Sequence, residues 1–332
     1  MKSLDVKTSG GAGWGTTAWG SPRAGSGGPF RDRDRGPTMH SAPSAPIWDP
    51  AQYLRHSGLR SRPFLDLLAR IPDPPGADGA GTGPLAIADL GCGPGNVTAL
   101  IAERWPAARI TGFDNSPEML DRAREQYAGP TPGSGAMDFR TADLARWAPG
   151  EPYGLIVSNA ALQWVPGHAG SFAAWIDGLA PGGTFAFQVP GNFTSPSHAL
   201  LAELCASPRW RDRLGGGPDR PANTVLDPAD YLARLTALGC AADVWETTYI
   251  QQLTGEDPVF DWVKGTALRP VLTALDGDEQ AAEEFTTEYR ALLRNAYPPT
   301  PSGTVFPFRR IFAVARKPVG EVRVGGVSAL PE

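Results

Sequence analysis

The stretch "IADLGCGPGNVTAL", residues 87–100, is an apolar run that stops at an acid, crosses a glycine-rich elbow and resumes with helical spacing. A strand, a glycine turn and a helix N-terminus in that order make a ligand-binding edge, because the glycines let a ligand approach backbone N–H groups closely. A dinucleotide elbow requires G-x-G-x-x-G, with the third glycine permitting tight helix packing and the pyrophosphate seated on the helix N-terminus. Here Gly91, Gly93 and Gly95 read G-x-G-x-G, and Asn96 stands where that third glycine is needed. A plain turn has the same local spacing, so the neighbouring residues decide what the elbow is for.

Asp89 lies two residues before Gly91, where a carboxylate repels pyrophosphate and accepts a hydrogen bond from an ammonium group. Asp114 closes the next apolar run, "ARITGFD" (108–114), and in a parallel sheet its carboxylate falls beside the elbow, where it suits the two hydroxyls of a ribose. Asp143 ends "MDFRTAD" (137–143) and suits an exocyclic adenine amine, with Leu144 next to it to pack on the ring. Amino acid, ribose and adenine without phosphate describe S-adenosylmethionine. The expected cofactor-binding set is Asp89, Gly91, Gly93, Gly95, Asp114, Asn115, Asp143, Leu144, Asn159 and Ala160.

Strand and helix signals alternate outward from the elbow. Val97, Leu100, Ile101 and Trp105 share one helical face, and "SPEMLDRAREQY" (116–127) opens with Ser116 at the N-cap and Pro117 at the first helical position. Then come "YGLIVSNA" (153–160), a helix carrying Phe172, Trp175, Ile176 and Leu179 that is expected to end at "PGG" (181–183), and "TFAFQVP" (184–190). A helix over "DPADYLARLTALG" (227–239) and strands "DVWETTYIQQL" (243–253) and "FRRIFAVARK" (308–317) complete the pattern. The expectation is an α/β, doubly wound, seven-stranded, mostly parallel Rossmann-like sheet over residues 47–320. Two insertions, at about 191–226 and 254–305, are expected to form a helical lid. The second carries two helical patterns, "DPVFDWVKGTALRPVLTAL" (257–275) and "DEQAAEEFTTEYRALLRNAY" (278–297).

Residues 1–46 are rich in Gly, Ser, Pro and Arg without a periodic apolar face and read as a disordered tail, and 321–332 are expected to be a flexible C-terminal tail. Met39 just precedes the first structured residues and is expected to be the natural start of translation. The 332-residue chain is 41% hydrophobic and 20% charged, enough to bury a large core, and its net charge of −5 gives no electrostatic footprint for nucleic acid or an anionic membrane. No apolar window reaches the roughly 20 residues of a membrane span. Cys92, Cys205 and Cys240 have no metal-ligand spacing and read as reduced thiols in a cytoplasmic protein with no metal and no protein partner evident.

"ADLGCGPG" (88–95), "ITGFDNSPEML" (110–120) and "RTAD" (140–143) resemble the successive cofactor motifs of class I S-adenosylmethionine-dependent methyltransferases. Gly154 in "YGLIVSNAALQWV" takes the place of an acid common in that superfamily, at a position that tends to be structural. With the flanks included ("WDPAQYLRHSGLRSRPFLDLLARIP", "SNAALQWVPGH", "VWETTYIQQL" and "VFDWVKGTALRPVL"), the chain resembles the trans-aconitate 2-methyltransferase family over roughly 48–317. That resemblance implies methyl transfer to one carboxylate of a tricarboxylate, giving a monomethyl ester. The alternatives are methylation of another acid, such as a malonyl group on a carrier protein or a secondary metabolite, and a cofactor-binding module without activity.

A carboxylate nucleophile, with a pKa of roughly 4, is already ionised at neutral pH, so no general base is expected. Gln163 and Trp164, which follow the fourth strand, are candidates for positioning, and His168 is expected to cap the next helix. A tricarboxylate demands cations and hydrogen-bond donors. The expected acceptor-binding residues are Tyr53, Arg62, Gln163, Asn192, His198, Tyr249, Arg269 and one of Arg309 and Arg310. Trp245 and Trp262 read as core.

Overall fold

A computed structural model describes residues 57–77, 83–214 and 225–320. The expectations for Tyr53, for the two tails and for a start at Met39 lie outside those residues. Helix α1 (Ser57–Arg70) precedes strand β1 (Ala86–Leu90), and the elbow leads into α2 (Asn96–Arg104). Next come β2 (Arg109–Asp114), α3 (Pro117–Tyr127), the two-residue β3 (Gly129–Pro130), β4 (Ala136–Thr141) and β5 (Tyr153–Asn159). Ser116 caps α3 as expected, its side chain accepting from the Met119 N–H at 3.3 Å.

After two short 3₁₀ turns come α4 (Phe172–Asp177) and β6 (Leu179–Pro190). "PGG" does not terminate the helix: α4 stops at Asp177, and Pro181–Gly183 lies inside an irregular start of β6, whose pairing with β5 shifts register between Tyr153 and Leu155. Gly183 is needed there because a Cβ would meet the carbonyl oxygens of Ala180 and Tyr153 at 2.8 and 3.0 Å.

The rest comprises α5 (Pro196–Ala206), α6 (Pro208–Arg211), α7 (Pro228–Ala237), β7 (Ala241–Leu253), α8 (Pro258–Lys264), α9 (Arg269–Ala274), α10 (Glu279–Ala296), β8 (Pro299–Thr300) and β9 (Gly303–Arg316). The sheet runs β3-β4-β2-β1-β5-β6-β9-β7, with β8 paired to β9. Strands β4, β2, β1, β5 and β6 are mutually parallel, and β9 is antiparallel to both of its neighbours. The expected seven-stranded sheet is therefore present, extended by two two-residue strands.

The expected helix over 257–275 is two helices. It breaks at Gly265, and Pro270 restarts it in the first turn of α9, where the missing N–H costs nothing. The two insertions also pack on each other. Trp210 of α6 is fully buried edge-on against Phe285 of α10, and its indole N–H donates to Glu288 at 3.1 Å. The Tyr289 hydroxyl donates to the Ser197 carbonyl at 2.6 Å, and the Ser197 N–H donates to the Tyr297 hydroxyl at 3.0 Å. The layer thereby shares one hydrophobic core with the face of the sheet that α1 and α2 cover, while Phe172, Trp175, Tyr231 and Leu235 of α4 and α7 fill the other face.

Trp210→Ala is expected to destabilise the fold by about 3–5 kcal/mol, through lost burial and the cavity left behind. Urea denaturation measures this, and a loss below about 1 kcal/mol would mean that the layer does not depend on that anchor.

Candidate functional site

The elbow closes by hydrogen bonds to the neighbouring strand, the N–H groups of Gly91 and Cys92 donating to the Phe113 carbonyl at 2.7 and 3.0 Å. Gly91 has φ +78°, and a Cβ on it would lie 2.1 Å from the Ala161 side chain, so only glycine fits. Gly95 has φ +82° and lies against Ala123, Tyr127 and Phe139, which lets α2 start close beside α3.

Asp114 joins the two turns. One carboxylate oxygen accepts from the Gly93 N–H and the other from the Ser116 N–H, each at 2.9 Å. Its carboxyl is held above the usual range by burial, partly opposed by those hydrogen bonds. A cavity of about 450 Å³ opens over this edge. Its wall includes Gly91, Gly93, Asp114, Asn115, Asp143, Leu144, Asn159 and Ala160, so eight of the ten residues expected to hold the cofactor come together. Gly95 shapes the start of α2 behind the wall.

Asp89 lies beneath the elbow at 1% exposure. Thr98 donates to its Oδ2 at 2.7 Å, while Oδ1 is buried without a hydrogen-bond partner among the described residues. An acceptor left unmet in that position suits an ammonium donor.

A second, smaller cavity of about 80 Å³ lies under the helical layer and shares Asn159, Ala160 and Trp164 with the first. Ala160 is the only non-glycine among the described residues with positive φ (+52°), a strained conformation at the boundary of the two cavities. Its carbonyl accepts from the Gln163 side chain at 2.5 Å, and its N–H donates to the Gln188 carbonyl at 2.9 Å.

Alternation along β9 decides between the two arginines. Phe306, Phe308, Arg310 and Phe312 face the helical layer, and Arg309 faces the opposite side, where its guanidinium pairs with Glu246 and donates to the Gly191 carbonyl at 3.0 Å. Arg310 is 6% exposed, stands 4.3 Å from the Phe308 ring centre and donates to Gln188 Oε1 at 3.1 Å. It lines the smaller cavity with Gln163, Asn192 and His198, all expected from the sequence.

The structure does not bring Arg62, Arg269, Arg309 or Tyr249 to the wall of either cavity. Arg62 is exposed, 5.2 Å from the Tyr249 ring centre, and the Tyr249 hydroxyl donates to Asp66 at 2.6 Å. Arg269 begins α9 just past Thr266 and Ala267, which do reach the cavity. His168 does not cap a helix: it is 1% exposed and its Nε2 meets the Tyr231 hydroxyl at 2.8 Å. Trp245 is packing, stacked on Phe312 at 4.8 Å, and Trp262, buried in the core as expected, also lines the smaller cavity with Phe193 and Phe308. Helical spacing alone cannot distinguish a core tryptophan from one that walls a cavity at the core's edge.

Burial pushes the Asp89 carboxyl up to about 7, with the Thr98 hydrogen bond working against it and the Asp114 charge adding to it. The folded chain thus keeps a proton that the unfolded chain loses near 3.8, and stability falls as pH rises between those two values. Asp89→Asn is expected to remove that component, so its stability relative to the unsubstituted protein should be greater at about pH 8 than at about pH 5, as measured by urea denaturation.

A family model described as a methyltransferase domain matches residues 87–183. The trans-aconitate 2-methyltransferase of Streptomyces coelicolor is 66% identical over 277 residues, covering 83% of this chain and 89% of that protein. The protein of the same name from Streptomyces avermitilis is 65% identical, covering 82% of this chain and 98% of its own length. That from Mycobacterium tuberculosis is 43% identical, covering 84% of this chain and all of its own. With the glycine elbow and its three acids in place in a Rossmann-like sheet, and with identity of this order over most of the chain, the protein belongs to the trans-aconitate 2-methyltransferase family, within the S-adenosylmethionine-dependent methyltransferases.

Proposed function

We propose that this protein transfers a methyl group from S-adenosylmethionine to one carboxylate of trans-aconitate, or of a close tricarboxylate, giving a monomethyl ester. The observation that carries this reading is Arg310, a buried cation on the wall of a cavity that shares Asn159, Ala160 and Trp164 with the cavity over the elbow. The relatives named above point to the same acceptor.

The residues over the elbow suit the donor. Asp89 offers a buried acceptor for the ammonium group, Asp114 a carboxylate for the ribose hydroxyls, and Asp143 with Leu144 an acceptor and an apolar surface for adenine. When bound, S-adenosylmethionine supplies a methyl group on a sulfonium sulfur that a nucleophile displaces in line, from the side opposite sulfur.

The chain's own task is positioning. Arg310 anchors a carboxylate of the acceptor through its planar fork of donors. Phe193, Trp262 and Phe308 exclude water around that ion pair and so strengthen it. Asn192 and His198 add polar contacts to the other oxygens. No residue need take a proton, because the nucleophilic carboxylate is ionised at neutral pH, its pKa being roughly 4. Gln163, by holding the Ala160 carbonyl, fixes the boundary across which the methyl group passes.

Incubation with methyl-labelled S-adenosylmethionine and, separately, trans-aconitate, cis-aconitate, citrate or isocitrate is expected to give a labelled ester most efficiently with trans-aconitate. No ester from any of the four would sink the proposal.

The acceptor and donor roles are separable by substitution. Arg310→Met is expected to raise the KM for the acceptor by about 10- to 100-fold, the worth of hydrogen bonds to a charged group, while the Kd for S-adenosylmethionine holds. Asp114→Ala should do the reverse, and Arg269→Ala should move neither constant by more than about twofold. Steady-state kinetics and calorimetry read both constants.

A further inference from the structure

Gln188 is fully buried in β6, lies on the wall of neither cavity, and stands between two strands that each bring a residue to the smaller cavity. On one side its Oε1 accepts from Arg310 Nη1 at 3.1 Å, diagonally across the β6–β9 pair. On the other its Nε2 donates to Asn159 Oδ1, directly across the β5–β6 pair. Asn159, Gln188 and Arg310 thus form a side-chain relay across three adjacent strands, on the face of the sheet that the helical layer covers. A polar side chain with no exposure in a central strand is costly unless both ends of its amide are engaged, and here both are. The atoms are also assigned by chemistry, because the guanidinium only donates and so must face the amide oxygen.

We propose that Gln188 is a positioning residue for methyl transfer: it holds the Arg310 guanidinium and the Asn159 amide as one rigid unit, aiming the acceptor's anchoring cation relative to the boundary with the donor. This rests on the reading of Arg310 as that anchor. A long arginine side chain has several rotatable bonds, and fixing one guanidinium donor on Gln188, over the Phe308 ring, removes that freedom before the acceptor arrives. With Asn159 Oδ1 committed to Gln188, the amide group Asn159 has left to offer the cavities is its NH₂ donor. Neither a carboxylate nor an apolar residue can replace the glutamine. Glutamate cannot donate to Asn159 Oδ1 and would neutralise the cation, and methionine holds neither partner.

The test measures KM for trans-aconitate, kcat, and Kd for S-adenosylmethionine in Gln188→Glu and Gln188→Met, with Arg310→Met and the double variant Gln188→Met/Arg310→Met alongside. Both Gln188 variants are expected to raise the acceptor KM by about tenfold or more while changing the donor Kd by less than about threefold. In the Arg310→Met background Gln188→Met should add little, because the relay is already broken, whereas a general weakening of the fold would add in full. Unchanged acceptor KM in the Gln188 variants, where Arg310→Met does raise it, overturns the relay and leaves the acceptor site standing. Unchanged KM in Arg310→Met overturns the acceptor assignment and the relay together. Loss of donor binding in both Gln188 variants also overturns the relay, since it assigns Gln188 to the scaffold.

Discussion

The Asp114 carboxylate, bridging the N–H of Gly93 in the elbow and the N–H of Ser116 at the start of α3, is the interaction on which the donor side depends. The two turns, from adjacent βα units, are otherwise independent loops, and a single partly buried carboxylate fastens them at a fixed spacing. The same bond bears on the chemistry of the elbow. An N–H that would face a phosphate in a dinucleotide site is here already occupied by a carboxylate, and a second carboxylate, Asp89, is buried beneath it. A pyrophosphate would meet two acids where it needs donors. A cationic, phosphate-free ligand meets complementary charge.

The smaller cavity depends on a different constraint, the reversed direction of β9. An antiparallel strand between β6 and β7 enters the sheet at the edge where the parallel strands end, so the first half of β9 runs past the termini of β5 and β6. Arg310, paired with Pro190 at the very end of β6, arrives at the cavity for that reason. The side-chain period of two then sends Arg309 to Glu246 and Arg310 inward, although the two are sequence neighbours with the same charge.

The donor side was legible in the sequence because its determinants are local. Each acid lies at or within two residues of a strand end, so the parallel topology alone brings Asp114 and Asp143 beside the elbow. The acceptor side was legible only in part. Asn192, His198 and Gln163 follow strand ends, where sequence position implies proximity to the edge of the sheet, and Arg310 lies within β9 beside the end of β6. Arg269 shows the limit: it belongs to a helical pattern that breaks at Gly265, and after the break Thr266 and Ala267 face the cavity while Arg269 does not. Gln188 gave no signal at all. A glutamine inside "TFAFQVP" reads as an ordinary strand position, and only the three-strand register places it between an asparagine and an arginine more than a hundred residues away.

The order of elements along the chain has a further consequence for how acceptor choice can change. The residues on the wall of the cavity over the elbow lie between Gly91 and Pro166, whereas most of those around the smaller cavity lie from Pro190 onward, in the helical layer and on β9. The two cavities are thus encoded by largely separate stretches of the gene. On the proposed assignment, changes in the later stretch reshape the smaller cavity while the wall over the elbow stays as it is, and the boundary of Asn159, Ala160 and Trp164 belongs to both.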